Sequence, residues 1–178
     1  MKKEKIILAS SSPRRKALLK NLVERFDIHP AEVDERIKGG ESPVEHTRRL
    51  ATEKARKAGE GRDSGYIIGA DTVVVIDGDI LGKPADRNAA RRMLSTLSAR
   101  THTVITAFSI LNARTKKSVS KAVESRVTFR RLGKKEIEDY IETEEPFDKA
   151  GAYGAEATGP QIYRENRGFV HKRCGIAH

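Results

Sequence analysis

Ser10-Ser11-Ser12-Pro13-Arg14-Arg15 places three small hydroxyl residues, a proline and two guanidiniums directly after the apolar run Ile6-Ile7-Leu8-Ala9. A strand that ends there and opens a helix presents free backbone N–H groups. The positive end of the helix dipole points the same way, so the turn can cradle a phosphate. Arg14 and Arg15 add bidentate donors. It is not a Walker loop, because G-x-x-x-x-G-K-[ST] does not occur. A plain capped helix with two solvated arginines accounts for the same residues.

Asp71 stands between Ile67-Ile68 and Val73-Val74-Val75. A carboxylate is costly to bury unpaired, so it must meet a cation, hold a metal or line a cleft. Asp77-Gly78 reads as a two-residue hairpin turn of type I′, with Ile76 and Asp79 flanking it. Extending that pairing sets Thr72 opposite Lys83, with Asp71 one step along. A carboxylate, a hydroxyl and an ammonium then cluster at the hairpin base. Thr72 and Lys83 share a face, while Asp71 begins on the other unless a bulge near Gly69 changes the phase. A structural salt bridge at Asp71 explains the pattern equally well.

Lys54 lies three or four residues from Leu50 and Ala51, on the inward side of its helix. There it either snorkels outward or points a charge into a cleft. Asp34-Glu35, with Glu32 nearby, follows a strand, where carboxylates serve as metal ligands or as surface groups. His29, His46, His102, His171 and His178 show no ligand spacing and read as structural or exposed. Cys174 has no evident base partner.

The elements that must position these residues follow from the pattern. Lys5 to Ala9 reads as a short buried strand. Ser12 is the N-cap of the next helix and Pro13 its first residue, with Ala17, Leu18, Leu19, Leu22 and Val23 as the apolar face. A second strand covers Phe26 to Val33. Ser42-Pro43-Val44-Glu45 is a capping box, and its helix runs to about Ala58, ended by Gly59 and Gly61. Tyr66 to Ile76 is the strongest strand signal, with a return strand over Asp79 to Lys83. Asp86 caps a helix carrying Ala89, Ala90, Met93, Leu94 and Leu97. Strands near Thr101 to Leu111 and over Ser118 to Arg131 come next, the latter with Val119, Val123, Val127 and Phe129 on one face. Gly133 to Glu142 is a helix with Ile137, Tyr140 and Ile141 inward. This mixed order predicts an α/β architecture within one domain spanning 1–178.

Composition narrows the function classes. The 178 residues are 37% hydrophobic and 34% charged, which suits a globular chain. No apolar run approaches the roughly 20 residues of a membrane helix, so no membrane partner is expected. Ile6-Ile7-Leu8-Ala9 is too short for a secretory signal. A single cysteine cannot form an internal disulfide, so a cytoplasmic location is expected and zinc-finger architectures are excluded. Lys plus Arg numbers 35 against 25 Asp plus Glu, a net +10 that attracts polyanions. The absence of Trp and the few aromatics argue against a base-stacking, nucleic-acid-binding surface.

Taken in order, several motifs resemble one family closely. They are Leu8-Ala9-Ser10-Ser11-Ser12-Pro13-Arg14-Arg15, Val33-Asp34-Glu35, Leu50-Ala51-Thr52-Glu53-Lys54-Ala55, Gly69-Ala70-Asp71-Thr72, Gly82-Lys83-Pro84, His102-Thr103-Val104 and Asp148-Lys149-Ala150-Gly151-Ala152-Tyr153-Gly154. The set looks like the Maf family of nucleotide pyrophosphatases, first described as septum-formation inhibitors, over about residues 5–155. The Ser-Pro-Arg-Arg and Ala-Asp-Thr versions look like the subfamily acting on dTTP and UTP.

The resemblance implies a two-lobed α/β fold with a mixed twisted sheet, flanking helices and a deep cleft, similar to the inosine triphosphate pyrophosphatases. It implies hydrolysis of a nucleoside triphosphate to the monophosphate and pyrophosphate with a divalent metal, Mg or Mn. Asp71 falls on the family's proton acceptor. Ser10, Arg14, Arg15, Glu35, Lys54 and Lys83 fall on its conserved-motif site positions, and Arg14 and Thr72 on positions linked to base choice. On this reading Arg14, Arg15, Lys54 and Lys83 bind phosphate, while Asp71 and Glu35 hold the metal. The alternative is a basic nucleic-acid-binding or division-regulating module without turnover, which needs cations along an exposed face rather than around Asp71.

The chain departs from the family pattern after Tyr153-Gly154. Ala155-Glu156-Ala157 stands where the family has an Ile-Gln-Gly step, so Glu156 replaces a Gln tied to base choice. An acceptor-only Glu predicts a weakened UTP and dTTP preference, with CTP as a further substrate. Arg164 to His178 is an atypical basic tail that lacks the family's closing strand and helix. It is expected to pack weakly or to be covered by a second copy of the chain, as a homodimer.

Overall fold

The computed structural model describes residues 4–154 and the backbone of 163–167. Its strands hydrogen-bond in the order β2-β1-β3-β5-β6-β7, with β4 paired to β3. They are β1 (Ile6–Leu8), β2 (Asp27–Ile28), β3 (Tyr66–Ile76), β4 (Asp79–Leu81), β5 (Thr101–Asn112), β6 (Ser118–Phe129) and β7 (Tyr163–Arg167). The helices are α1 (Pro13–Lys20), α2 (Pro43–Ala58), α3 (Arg87–Leu97) and α4 (Lys134–Glu142). β1 runs parallel to both β2 and β3, whereas β3–β4 and β6–β7 are antiparallel. The result is the expected mixed α/β sheet.

Two compact units divide the chain. The first holds Met1–Asp71 and Thr106–Val123, the second Thr72–Ile105 and Glu124–His178. The first unit packs α2 on the sheet through Ile7, Ala9, Ala55, Ala58, Ile67, Leu111 and Ala113. Its helix starts as the sequence demands. Ser42 Oγ accepts from the Glu45 N–H, and the Glu45 side chain accepts from the Ser42 N–H.

Gly69 sets how closely α2 can approach. A Cβ there would stand 2.1 Å from the Ala51 carbonyl oxygen and 2.6 Å from the Ala55 nitrogen. Only glycine lets strand and helix backbones come that near. Burial along β3 then alternates through Ile67, Gly69, Asp71 and Val73 before slipping one residue at Val73–Val74. The phase change therefore falls after Asp71 rather than near Gly69. Asp71 shares the α2-facing side with Ile67 and Gly69.

The second unit has its own core of Val74, Ile76, Ala90, Leu94, Leu97, Val127, Phe129, Ile137, Tyr140 and Ile141, closed by Ala152 and Tyr153. The hairpin register is the one the turn dictates, with Ile76 opposite Asp79 and Val74 opposite Leu81. Asp77 and Gly78 both take positive φ, at 54° and 89°, as a type I′ turn requires.

Several expectations need correction. β2 is two exposed residues rather than Phe26 to Val33, because Pro30 has no N–H with which to continue the ladder. β4 ends at Leu81 rather than Lys83, since the Gly82 carbonyl is taken by the Gly151 N–H at 2.9 Å. Ser12 makes no side-chain cap. Of the apolar face of α1, Leu19 is buried while Leu18 and Leu22 are exposed. Val119 is 73% exposed, so the period-two face of β6 is buried only toward its end, at Ser125, Val127 and Phe129. The tail expected to lack a strand contributes β7, which pairs Arg126 with Arg167 and Val127 with Asn166.

Candidate active site

The first unit brings Ser10, Arg15, Glu35, Lys54 and Asp71 together. Asp71 is buried and its carboxylate accepts from Lys54 Nζ at 2.7 Å. The same ammonium donates to Glu35 Oε1 at 2.7 Å. Lys54 lies between Ala51 and Ala55, the residues against which Gly69 packs, so the helix contact delivers it to the strand position two residues on. Of the two readings at Lys54, the inward charge holds and the snorkelling one does not.

Arg15 closes the other side. Its Nη1 donates to the Ala70 carbonyl at 2.9 Å and to Ser10 Oγ at 3.3 Å. Ser10 is buried and also accepts from the Ser12 N–H at 3.2 Å. Arg15 therefore ties the β1–α1 turn to the backbone next to Asp71. Burial pulls the Arg15 guanidinium below its usual range, and the nearby Asp71 charge partly restores it. Arg14 is half-buried, and among the described residues its guanidinium has no hydrogen-bond or ion-pair partner.

Glu35 sits on a loop with no regular structure, and Arg49 holds that loop. Arg49 Nη2 donates to the Arg36 carbonyl at 2.9 Å and Nη1 to the Asp34 carbonyl at 3.4 Å, one residue either side of Glu35. The same guanidinium grips Glu41 at 2.6 Å and Glu53 at 3.1 Å. That hydrogen bonding draws the Glu41 carboxyl down to about 2. Sequence reasoning missed Arg49, and only its helical position one turn before Glu53 and Lys54 could have marked it. Asp34 is turned away to Arg36, whose guanidinium holds its carboxyl far below the usual carboxylate range.

Thr72 and Lys83 belong to the second unit. Lys83 is exposed and follows the end of β4, so the ladder stops short of pairing it with Thr72. In the same unit His102 is buried, its Nε2 2.5 Å from the Tyr153 hydroxyl and its ring edge-on to Phe129. Burial lowers His102 to about 4 and raises Tyr153. His102 is thus structural, as expected, and His46 is buried against Glu41. Glu156, His171, Cys174 and His178 lie outside the described residues.

Among the described residues no three His, Cys, Asp or Glu side chains cluster for a metal. Glu35 and Asp71 nonetheless aim hard carboxylate oxygens at a single cation, the Lys54 ammonium. That donor set fits magnesium or manganese, which take one or two carboxylates and complete their shell with water and substrate phosphate.

The arrangement of strands and helices is one found in solved α/β proteins. The structure of a HAM1 protein from Coxiella burnetii superposes with a TM-score of 0.52 at 17% identity, covering 73% of this chain and 75% of that one. The Staphylococcus aureus Ham1 protein gives 0.51 at 14% identity, covering 71% and 72%. These likenesses define the fold. Within it, residues 5–171 match the Maf-like protein family, a longer span than the motifs alone covered. The chain belongs to that family. A relative from Clostridioides difficile (strain 630), named dTTP/UTP pyrophosphatase, is 50% identical over 171 residues, covering 96% of this chain and 88% of its own length. A protein of the same name from Geobacter sp. (strain M21) is 44% identical over 176 residues, covering 99% and 91%.

Proposed function

We propose that this protein is a nucleoside triphosphate pyrophosphatase that hydrolyses dTTP and UTP to the monophosphate and pyrophosphate. The names of its relatives support the substrate class. The observation that carries the chemistry is the buried Asp71 carboxylate, 2.7 Å from Lys54 and beside the Arg15-anchored Ala70 carbonyl. A carboxylate at that position can accept a proton from a bound water.

In the proposed reaction Asp71 orients a water and takes its proton as the water oxygen bonds to the α-phosphorus. The bond from that phosphorus to the bridging oxygen breaks, and pyrophosphate leaves. Arg14 and Lys54 bind the phosphate oxygens and oppose the charge that develops on them. Arg15 and Ser10 fix the turn that carries Arg14. Glu35 and Asp71 would hold a divalent cation, which when bound supplies charge neutralisation and lowers the pKa of water. Lys83 as a phosphate ligand, and Thr72 and Glu156 as base-reading residues, rest on the sequence motifs. A cytoplasmic location rests on the single cysteine.

The rival reading, a basic module without turnover, needs its cations on an exposed face. Lys54, at 12% exposure and bridging two carboxylates, supports the enzyme instead. The deciding experiment is pyrophosphate release across the common triphosphates with magnesium. Release from UTP and dTTP is expected, and its absence from folded protein refutes the enzyme.

A further inference from the structure

We propose that Lys54 competes with a divalent cation for the carboxylate oxygens of Glu35 and Asp71, and passes to substrate phosphate when that cation binds. This rests on the reading that Glu35 and Asp71 are the cation's ligands. The Lys54 ammonium stands 2.7 Å from Glu35 Oε1 and 2.7 Å from Asp71 Oδ1. It thus sits where the two carboxylates converge, and those two oxygens are the hard donors on which a magnesium or manganese ion depends. Two cations compete for them, because like charges a few ångströms apart repel.

Charge arithmetic sets the direction of the exchange. Glu35 and Asp71 carry −2, which the Lys54 ammonium and the nearby Arg15 guanidinium balance. A divalent ion at the same oxygens adds two positive charges and turns the ammonium toward a new anion. A triphosphate supplies it. Lysine suits this role because its charge is compact and rides on a flexible four-carbon stem, whereas an arginine fork would be fixed by geometry. The consequence is an order of events. While Lys54 bonds Asp71 that carboxylate oxygen is taken, and it becomes available as a base only once Lys54 has moved to phosphate.

The test reads cation binding rather than turnover. Mn²⁺ is titrated into the nucleotide-free protein by calorimetry, for the wild type and for Lys54→Met, Glu35→Gln and Asp71→Asn. Lys54→Met is expected to bind Mn²⁺ on the order of 10-fold tighter, the scale set by removing a competing charge from the same oxygens. In the wild type, Mn²⁺ is expected to raise acylation of the Lys54 amine, mapped by mass spectrometry. This second readout needs no variant to fold, and a lysine that acts only through space would not show it. Unchanged or weaker Mn²⁺ binding by Lys54→Met overturns the exchange, and so does Lys54 acylation that Mn²⁺ leaves unaltered. If Glu35→Gln and Asp71→Asn bind Mn²⁺ as the wild type does, the ligand assignment falls and the exchange falls with it.

Discussion

Asp71 is worth burying only if something pairs it, and the two cations around it divide the work. Lys54 bonds the carboxylate itself, while Arg15 bonds the carbonyl of the residue before it. Replacing the carboxylate keeps the shape and removes the base. Asp71→Asn is expected to lose about 10²–10⁴-fold in kcat, the usual scale of general base catalysis, while melting near the wild-type temperature. Near-normal turnover from a folded Asp71→Asn protein would remove Asp71 from the base role. Glu156 is a residue-scale question posed by sequence alone. As an acceptor-only side chain it should disfavour the uracil carbonyl edge, so Glu156→Gln is expected to raise the kcat/KM ratio of UTP and dTTP over CTP. Equal ratios in both forms would mean that Glu156 does not meet the base.

At the scale of elements, the site depends on how α2 meets β3 and on what holds the loop before α2. Gly69→Ala drives a methyl into the Ala51 carbonyl and the Ala55 N–H, both backbone atoms that cannot step aside. A loss of about 1–3 kcal/mol or more in urea denaturation is expected, with activity falling as Lys54 moves away from Asp71. Arg49 acts on Glu35 through the carbonyls on either side of it. Arg49→Met is expected to weaken Mn²⁺ binding and raise the metal requirement of turnover, whereas Arg49→Lys should restore little, because one ammonium cannot span those acceptors.

Much of this scale was legible in the sequence. The capping box at Ser42, the hairpin at Asp77-Gly78 and the inward residues of α4 are local signals with fixed chemistry, and the structure keeps them. The irregular loop carrying Glu35 was not legible, because its conformation is set by Arg49 on another element. Nor was the phase slip at Val73–Val74, which changes the face that the hairpin end of β3 buries relative to Asp71. Such features belong to tertiary packing, and single-chain periodicity does not encode them.

The whole molecule combines two apolar cores with a net charge of +10, and pH acts on the second core through His102. In the second unit His102 titrates near 4 when folded against an ordinary 6.5, because burial disfavours the charged ring. Its depressed pKa means that the unfolded chain binds the proton first as pH falls. Stability from this group is therefore complete above about 6.5 and is lost progressively down toward about 4. Urea unfolding measured across that window should show the decline, and His102→Gln should flatten it. A slope unchanged by His102→Gln would assign the titration elsewhere.

The most direct measurement of the central claim is the hydrolysis of UTP with magnesium in ¹⁸O-labelled water, followed by mass analysis of both products. Attack on the α-phosphorus by a water held at Asp71 puts the label in UMP and leaves pyrophosphate unlabelled. The account predicts that distribution in the wild type and little product of either kind from Asp71→Asn. Label found in pyrophosphate, or release of orthophosphate and UDP, would contradict it.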